Sequence, residues 1–169
     1  MIASPSCFYF QSKNMTKEMI LEQFPAEMRE LVQAYAVAPQ EPVTRILNST
    51  DTNNLICPQI GSELVEYGAV IFLNNNNNVL YVDHDLFKGG ISGTVFDVRV
   101  VFKQALLHNA TGLILAHNHP SGSTTPSRAD KEVTEEFVQA GKILKIRVLD
   151  HLIVTASGDY YSFADEGGI

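Results

Sequence analysis

Apolar residues recur along the chain in two rhythms, and the rhythm separates strands from helices. Val65 to Leu73 reads as a strand, and the five asparagines from Asn74 to Asn78 read as a turn. Asparagine tolerates left-handed backbone angles, so this turn is expected to close a hairpin onto a second strand at Val79 to Val82. Gly89-Gly90-Ile91-Ser92-Gly93 predicts a bend before another short strand. It lacks the Lys-Ser/Thr ending of a phosphate loop and the spacing of a dinucleotide turn. Val98, Val101, Phe102, Ala105 and Leu106 share one side of a helix drawn over Phe96 to Asn109. Gly112 to Ala116 is a short apolar strand that delivers His117, and Ser127 to Leu144 is a second helix, broken only by Gly141. Arg147 to Thr155 and Tyr160 to Phe163 pair as strands through Ser157-Gly158-Asp159. The order strand, strand, strand, helix, strand, helix, strand, strand predicts a mixed sheet packed between helices.

Upstream the pattern changes. Residues 1 to about 14 carry little periodic signal and read as a loosely attached arm. Met19, Ile20, Phe24, Met28, Leu31, Val32 and Tyr35 follow helical spacing between Thr16 and Val37, with Pro25 separating two short helices or starting the second. Pro39 to Pro42 reads as a linker. The chain therefore divides into an arm and helical preface over 1–40 and one domain over 41–169. Arg45 to Ile60 is ambiguous, although Ser49-Thr50-Asp51 can cap a short helix; the clear core is expected to begin at Leu64.

Composition narrows the class of protein. Of 169 residues, 45% are hydrophobic and 18% charged, which suits a soluble globular chain with one ordinary domain. Nineteen acids against twelve Lys and Arg give a formal net charge of −7, which argues against sequence-independent binding to a phosphate backbone. Direct nucleic-acid binding is not expected. Cys7 and Cys57 lie far apart without a Cys-x-x-Cys partner, so neither a disulfide framework nor a cysteine zinc site is expected. The N-terminus lacks a secretory pattern, and no apolar run approaches the ~20 residues needed to span a bilayer. These features predict a cytoplasmic protein with reduced thiols and no membrane partner.

The chemistry concentrates in His117-Asn118-His119-Pro120, followed by Ser127 and Asp130. Side chains on a strand repeat every two residues, so His117 and His119 point to one side at the strand's end. Neutral imidazoles presented together can hold a divalent metal, and a carboxylate from the next element can complete the set. Two nitrogens, one oxygen and a water make the layout of a catalytic zinc site. Two close histidines alone are more often an ordinary strand end. Ser127-Arg128-Ala129-Asp130 likewise resembles a helix capping box, with an acid favoured by the helix dipole. Pro120 and Gly122 stop and turn the chain, and Pro126 sets where the helix begins.

The complete pattern resembles the JAMM motif of the JAB/MPN metalloprotease superfamily, and within it the bacterial RadC family. The resemblance covers Leu64 to Gly168. It rests on Gly89-Gly90-Ile91-Ser92-Gly93-Thr94, Ala116-His117-Asn118-His119-Pro120-Ser121-Gly122, Pro126-Ser127 with Asp130, Leu149-Asp150-His151-Leu152-Ile153, and Tyr161-Ser162-Phe163-Ala164-Asp165-Glu166-Gly167. It implies a mixed α/β fold, MPN/JAB-like and cytidine-deaminase-like. It implies zinc held by His117, His119 and Asp130, with Ser127 helping to hold the oxyanion. The family's catalytic glutamate lies on an early strand; Glu66 fits that place, with Glu63 as competitor. The implied activity is hydrolysis of a peptide or isopeptide bond in a peptide or protein substrate. Zinc would lower the pKa of its water toward ~7, and Glu66 would carry the proton to the leaving amine.

Two other classes remain beside this one: a DNA-repair-associated accessory protein, a role attached to the RadC family by name, and a non-catalytic MPN-like interaction module. The letters His-Asn-His do not make an HNH nuclease, whose residues are dispersed over a ββα unit. A zinc deaminase would need a Pro-Cys-x-x-Cys pair, which the chain lacks. Val98-Arg99-Val100 departs from a Pro-Arg-Glu-like family segment, and Asn74 replaces an often acidic residue; both bear on substrate or partner preference. His151 reads as a hydrogen-bonded core histidine, with support of the metal site as the alternative, and His84 and His108 read as surface residues.

Overall fold

The computed structural model describes residues 44–88 and 96–169, together with Pro25, Met28 and Arg29. The chain divides into two compact units, Met1–Pro42 and Val43–Ile169. In the first, the amides of Met28 and Arg29 both donate to the Pro25 carbonyl, so a helical turn opens at Pro25. The rest of the helical reading over 16–37, the arm before it and the Gly89–Gly93 bend with the short strand after it lie outside the described residues.

The second unit runs α1 (Ser49–Ile60), β1 (Tyr67–Leu73), β2 (Val79–Lys88), α2 (Val98–Leu107), β3 (Gly112–Asn118), α3 (Arg128–Leu144), β4 (Arg147–Val154) and β5 (Tyr160–Ser162). The five strands form one sheet in the order β2-β1-β3-β4-β5. Among the described residues only β3 and β4 are parallel, and α3 makes the crossover that a parallel pair requires. The asparagine run closes the β1–β2 hairpin as expected. The Asn74 side-chain oxygen accepts from the amides of Asn76 and Asn78, and Asn77 takes φ 59°, the left-handed angle asparagine tolerates. β2 continues six residues beyond the predicted Val82.

Strand alternation divides the core into two layers. Val70, Phe72, Leu113 and Leu115 pack against α2 and α3 through Phe96, Phe102 and Phe137. Ala69, Ile71, Leu73, Ile114 and Ala116 face the other way, onto Ile56 and Ile60 of α1. Helices therefore cover both faces, which is why β1 and β3 read as unbroken apolar runs. The core does not begin at Leu64, which is 91% exposed; Ile46, Ile56 and Ile60 are already inside it.

The ambiguous segment before it is α1, a helix of 12 residues. Its cap is Asn48, one residue before the Ser-Thr-Asp run. Asn48 Oδ1 accepts from the Asp51 amide, and Asp51 returns a carboxylate oxygen to the Leu47 amide. Apolar spacing is poor here because buried Thr52 and Asn53 occupy inward positions. In α3, Thr134, Phe137 and Gly141 form the buried face. Phe137 fixes α3 to the sheet, and its truncation to alanine is expected to cost about 3–5 kcal/mol.

Candidate metal centre

Parity along β3 decides where the histidines go. His117 continues the Leu113–Leu115 face toward α3, and the chain carries His119 on the same side two residues later. Pro126 and the turn at Gly122, whose φ is 77°, then bring the chain back into α3. Ser127 is the N-cap of α3 and Asp130 its third residue, with both bonds of a capping box formed. The Asp130 amide donates to Ser127 Oγ at 3.1 Å, and the Ser127 amide donates to Asp130 Oδ2 at 2.7 Å. The box locks the Asp130 rotamer and turns Oδ1 toward His117 Nε2, 3.2 Å away. Capping and site-building are one arrangement.

His117, His119 and Asp130 each contribute a ligand atom to a group in which all three atoms lie within 4.8 Å of one another, a set that could hold a metal ion. His117 Nε2 and His119 Nε2 are 3.1 Å apart, and His119 Nε2 lies 3.7 Å from Asp130 Oδ2. His119 Nδ1 is 2.7 Å from the Ser123 carbonyl, which can only accept, so Nδ1 carries a proton and the neutral ring presents the Nε2 lone pair. Lone pairs and a carboxylate converging at this distance suit a cation between them. In the metal-free protein, protons on the imidazoles take that place. Burial opposes the Asp130 anion, yet the bonds from His117 and His119 hold its carboxyl well below the usual carboxylate range. The Asp130 bond in turn raises His119 above its ordinary value, against burial and with help from the Ser123 carbonyl and the charge of Glu66. The donor set fits a borderline divalent ion such as zinc.

Glu66 immediately precedes β1 and is half-buried. Gly68 pairs with His117 in the antiparallel β1–β3 ladder, and Glu66 lies two residues before Gly68, at the end of the ladder where the histidines leave the strand. Glu63, its competitor, is exposed. Only Glu66 of the two is among the charges that raise His119.

Three side chains beneath the histidines complete the arrangement. Asn118, between them in sequence, is fully buried and points to the opposite face. Its Oδ1 accepts from the Tyr67 amide at 2.6 Å, and its Nδ2 donates to the carbonyls of Glu63 and Val65 at 3.1 and 3.2 Å. His151 is wholly buried on β4, with Nε2 2.9 Å from His117 Nδ1 and Nδ1 2.6 Å from Thr134 Oγ1. It is a hydrogen-bonded core histidine, and its partner is a residue of the site, so the two sequence readings of His151 describe one position. Burial, and then the neighbouring His117, push its pKa well below the ordinary histidine value. Strand alternation would have found Asn118 and the four-residue step from Asp130 would have found Thr134; neither is predicted above. His84 is exposed as expected, whereas His108 is half-buried, stacking on Tyr81 and Phe72 at 4.3 and 5.7 Å.

Among the described residues no helix is long and apolar enough to cross a membrane, and Cys57 is a free thiol. Residues 46–168 match the family described as the RadC-like JAB domain. The chain is 51% identical over 123 residues to a UPF0758 protein of Flavobacterium johnsoniae, an alignment covering 73% of this chain and 53% of the relative. It is 47% identical over 113 residues to the UPF0758 protein YeeS of Escherichia coli, covering 67% and 74%. It is 35% identical over 144 residues to a UPF0758 protein of Methanococcoides burtonii, covering 85% and 62%. It thus spans about half the length of the first relative and under two thirds of the third. With the match running from the α1 side of the core through both histidines to the C-terminal strand, the chain belongs to the RadC-like JAB domain family.

Proposed function

We propose that this protein is a zinc-dependent metallohydrolase of the JAMM type that cleaves a peptide or isopeptide bond. The observation that carries the reading is the convergence of His117 Nε2, His119 Nε2 and the Asp130 carboxylate beside Glu66. His117, His119 and Asp130 would hold the ion. A zinc ion bound there supplies Lewis acidity, acidifying a water and polarising a carbonyl at neutral pH.

The chain's own residues do the remaining work. Glu66 accepts the proton of the attacking water on its carboxylate and delivers it to the departing nitrogen. The action of its charge on His119 supports a transfer beside the ligand set. Ser127 Oγ accepts from the Asp130 amide, so its hydroxyl proton is left to donate to the oxygen of the attacked carbonyl. The capping box holds this donor still before substrate arrives, so its reorganisation cost is already met by folding.

Zinc stoichiometry in the wild type and in His119→Ala tests the ligand set, and a full complement of zinc in the variant sinks it. Peptide and isopeptide libraries presented to the zinc-loaded protein test the reaction. Glu66→Gln is expected to keep its zinc and lose hydrolysis, and retained turnover would move the base elsewhere.

A further inference from the structure

We infer that His151 and Thr134 are positioning residues that fix the proton of His117 on Nδ1, so that its Nε2 lone pair always faces the cation site. The inference rests on the proposed ligand set for its consequence, whereas the proton positions are properties of the metal-free protein.

The argument follows a chain of atoms in which each link has one possible direction. The Asp130 carbonyl oxygen can only accept, and Thr134 Oγ1 lies 2.6 Å from it, so the single hydroxyl proton of Thr134 is committed there. Toward His151 Nδ1, 2.6 Å away, Thr134 Oγ1 can then only accept. His151 therefore carries a proton on Nδ1. Its ring has no exposed surface, stacks on Phe163 at 5.1 Å and meets the edge of Phe96 at 5.7 Å. Neither of its nitrogens is bonded to an anion, so an imidazolium there would be a buried charge without a counter-ion in contact. The ring is neutral, and its Nε2 is an acceptor. Across 2.9 Å, His117 Nδ1 must donate to it. The lone pair of neutral His117 is left on Nε2, 3.2 Å from Asp130 Oδ1.

The chain starts on the backbone of Asp130 and ends facing its carboxylate, so one residue sets both a ligand and the tautomer of its neighbour. Helix α3 and strands β3 and β4 are joined in one loop of bonds. A metal-binding histidine usually gives its second N–H to a carboxylate, a backbone carbonyl or water. Here the acceptor is a neutral imidazole, itself oriented by a threonine. Ring orientation is thus fixed without adding negative charge behind the site.

Nitrogen NMR of the metal-free protein reads the proton positions directly. His151 is expected protonated on Nδ1 and bare on Nε2, and His117 protonated on Nδ1. Thr134→Val keeps the shape and removes the hydroxyl; it should mix the tautomers of both rings and weaken zinc binding, measured against a chelator, roughly tenfold or more. Thr134→Ser should restore both readouts. A purely structural threonine would lower stability in Thr134→Val and leave the tautomers as they were, which overturns the inference. So does a wild-type His117 bare on Nδ1. Wild-type protein with the expected tautomers and no affinity for zinc would uphold the relay and defeat the metal-site reading instead.

Discussion

Asn118 Oδ1 accepts the Tyr67 amide proton at 2.6 Å, tying the strand that carries both histidines to the residue after Glu66. The same amide group holds the carbonyls of Glu63 and Val65. Asn118 thus clamps the segment in which Glu66 sits, from a position that cannot itself reach the site. Asn118→Leu would strand three backbone groups in the interior, a loss on the order of 3 kcal/mol. Chemical denaturation should report that loss while zinc stoichiometry stays at the wild-type level. A variant that loses zinc as well would mean that the clamp supports the ligands and not the Glu66 segment alone.

Asp130 works twice, and substitution can separate the two roles. Asp130→Asn keeps an oxygen for the Ser127 amide, so the helix cap survives and stability should change by less than about 1 kcal/mol. It removes the carboxylate charge facing His117, so zinc affinity should fall steeply. Ser127→Ala does the reverse. It removes the acceptor for the Asp130 amide and should cost about 1 kcal/mol, with zinc retained and hydrolysis reduced. Denaturation midpoints and metal content in the two variants check the division; equal zinc in both would refute it.

How much of this was legible in the sequence depended on whether a residue's partner was local. Ser127 and Asp130 sit three apart, and a capping box is a spacing rule, so both the cap and the candidate ligand could be read. His117 and His119 share a face by strand parity alone. His151 could not be resolved in the same way, because its partner lies 34 residues away on a parallel neighbour, and register across a crossover is set by packing. Asn118 has its partners more than 50 residues upstream. The α1 helix was ambiguous because Thr52 and Asn53 break the apolar rhythm where polar side chains are buried.

The end of α3 offers a test of backbone geometry. Gly141 packs so tightly that an added Cβ would lie 2.5 Å from the Ile146 carbonyl oxygen, a backbone atom that cannot swing away. Gly141→Ala gains up to about 1 kcal/mol of helix propensity. The clash should outweigh it, giving a net destabilisation of about 1–3 kcal/mol. Four residues on, Lys145 caps the helix at φ 60°, where a side chain is strained. Lys145→Gly should stabilise by about 0.5–1 kcal/mol. Thermal melts of the two variants should move in opposite directions, and parallel shifts would contradict this account.

Asp150 lies on the other face of β4 from His151 and contributes to the pH response of the fold. It is nearly buried, and its carboxylate accepts from Ser162 Oγ at 2.6 Å and from the amides of His151 and Ala164 at 2.7 and 3.0 Å. Burial raises its pKa above the ordinary carboxylate value, these bonds pull against the rise, and nearby Asp165 adds to it. The folded state therefore binds this proton more tightly than the unfolded chain does. Lowering the pH through the raised value favours folding at this residue, and the charged form is a cost at neutral pH. Asp150→Asn removes the titration and leaves an oxygen for the two amides. The stability of wild type relative to this variant should rise as the pH falls from about 7 toward about 4.5. Urea denaturation of both proteins across that range measures the difference, and a relative loss on acidification would show that the hydrogen bonds overcome burial and make the charged form the favoured one.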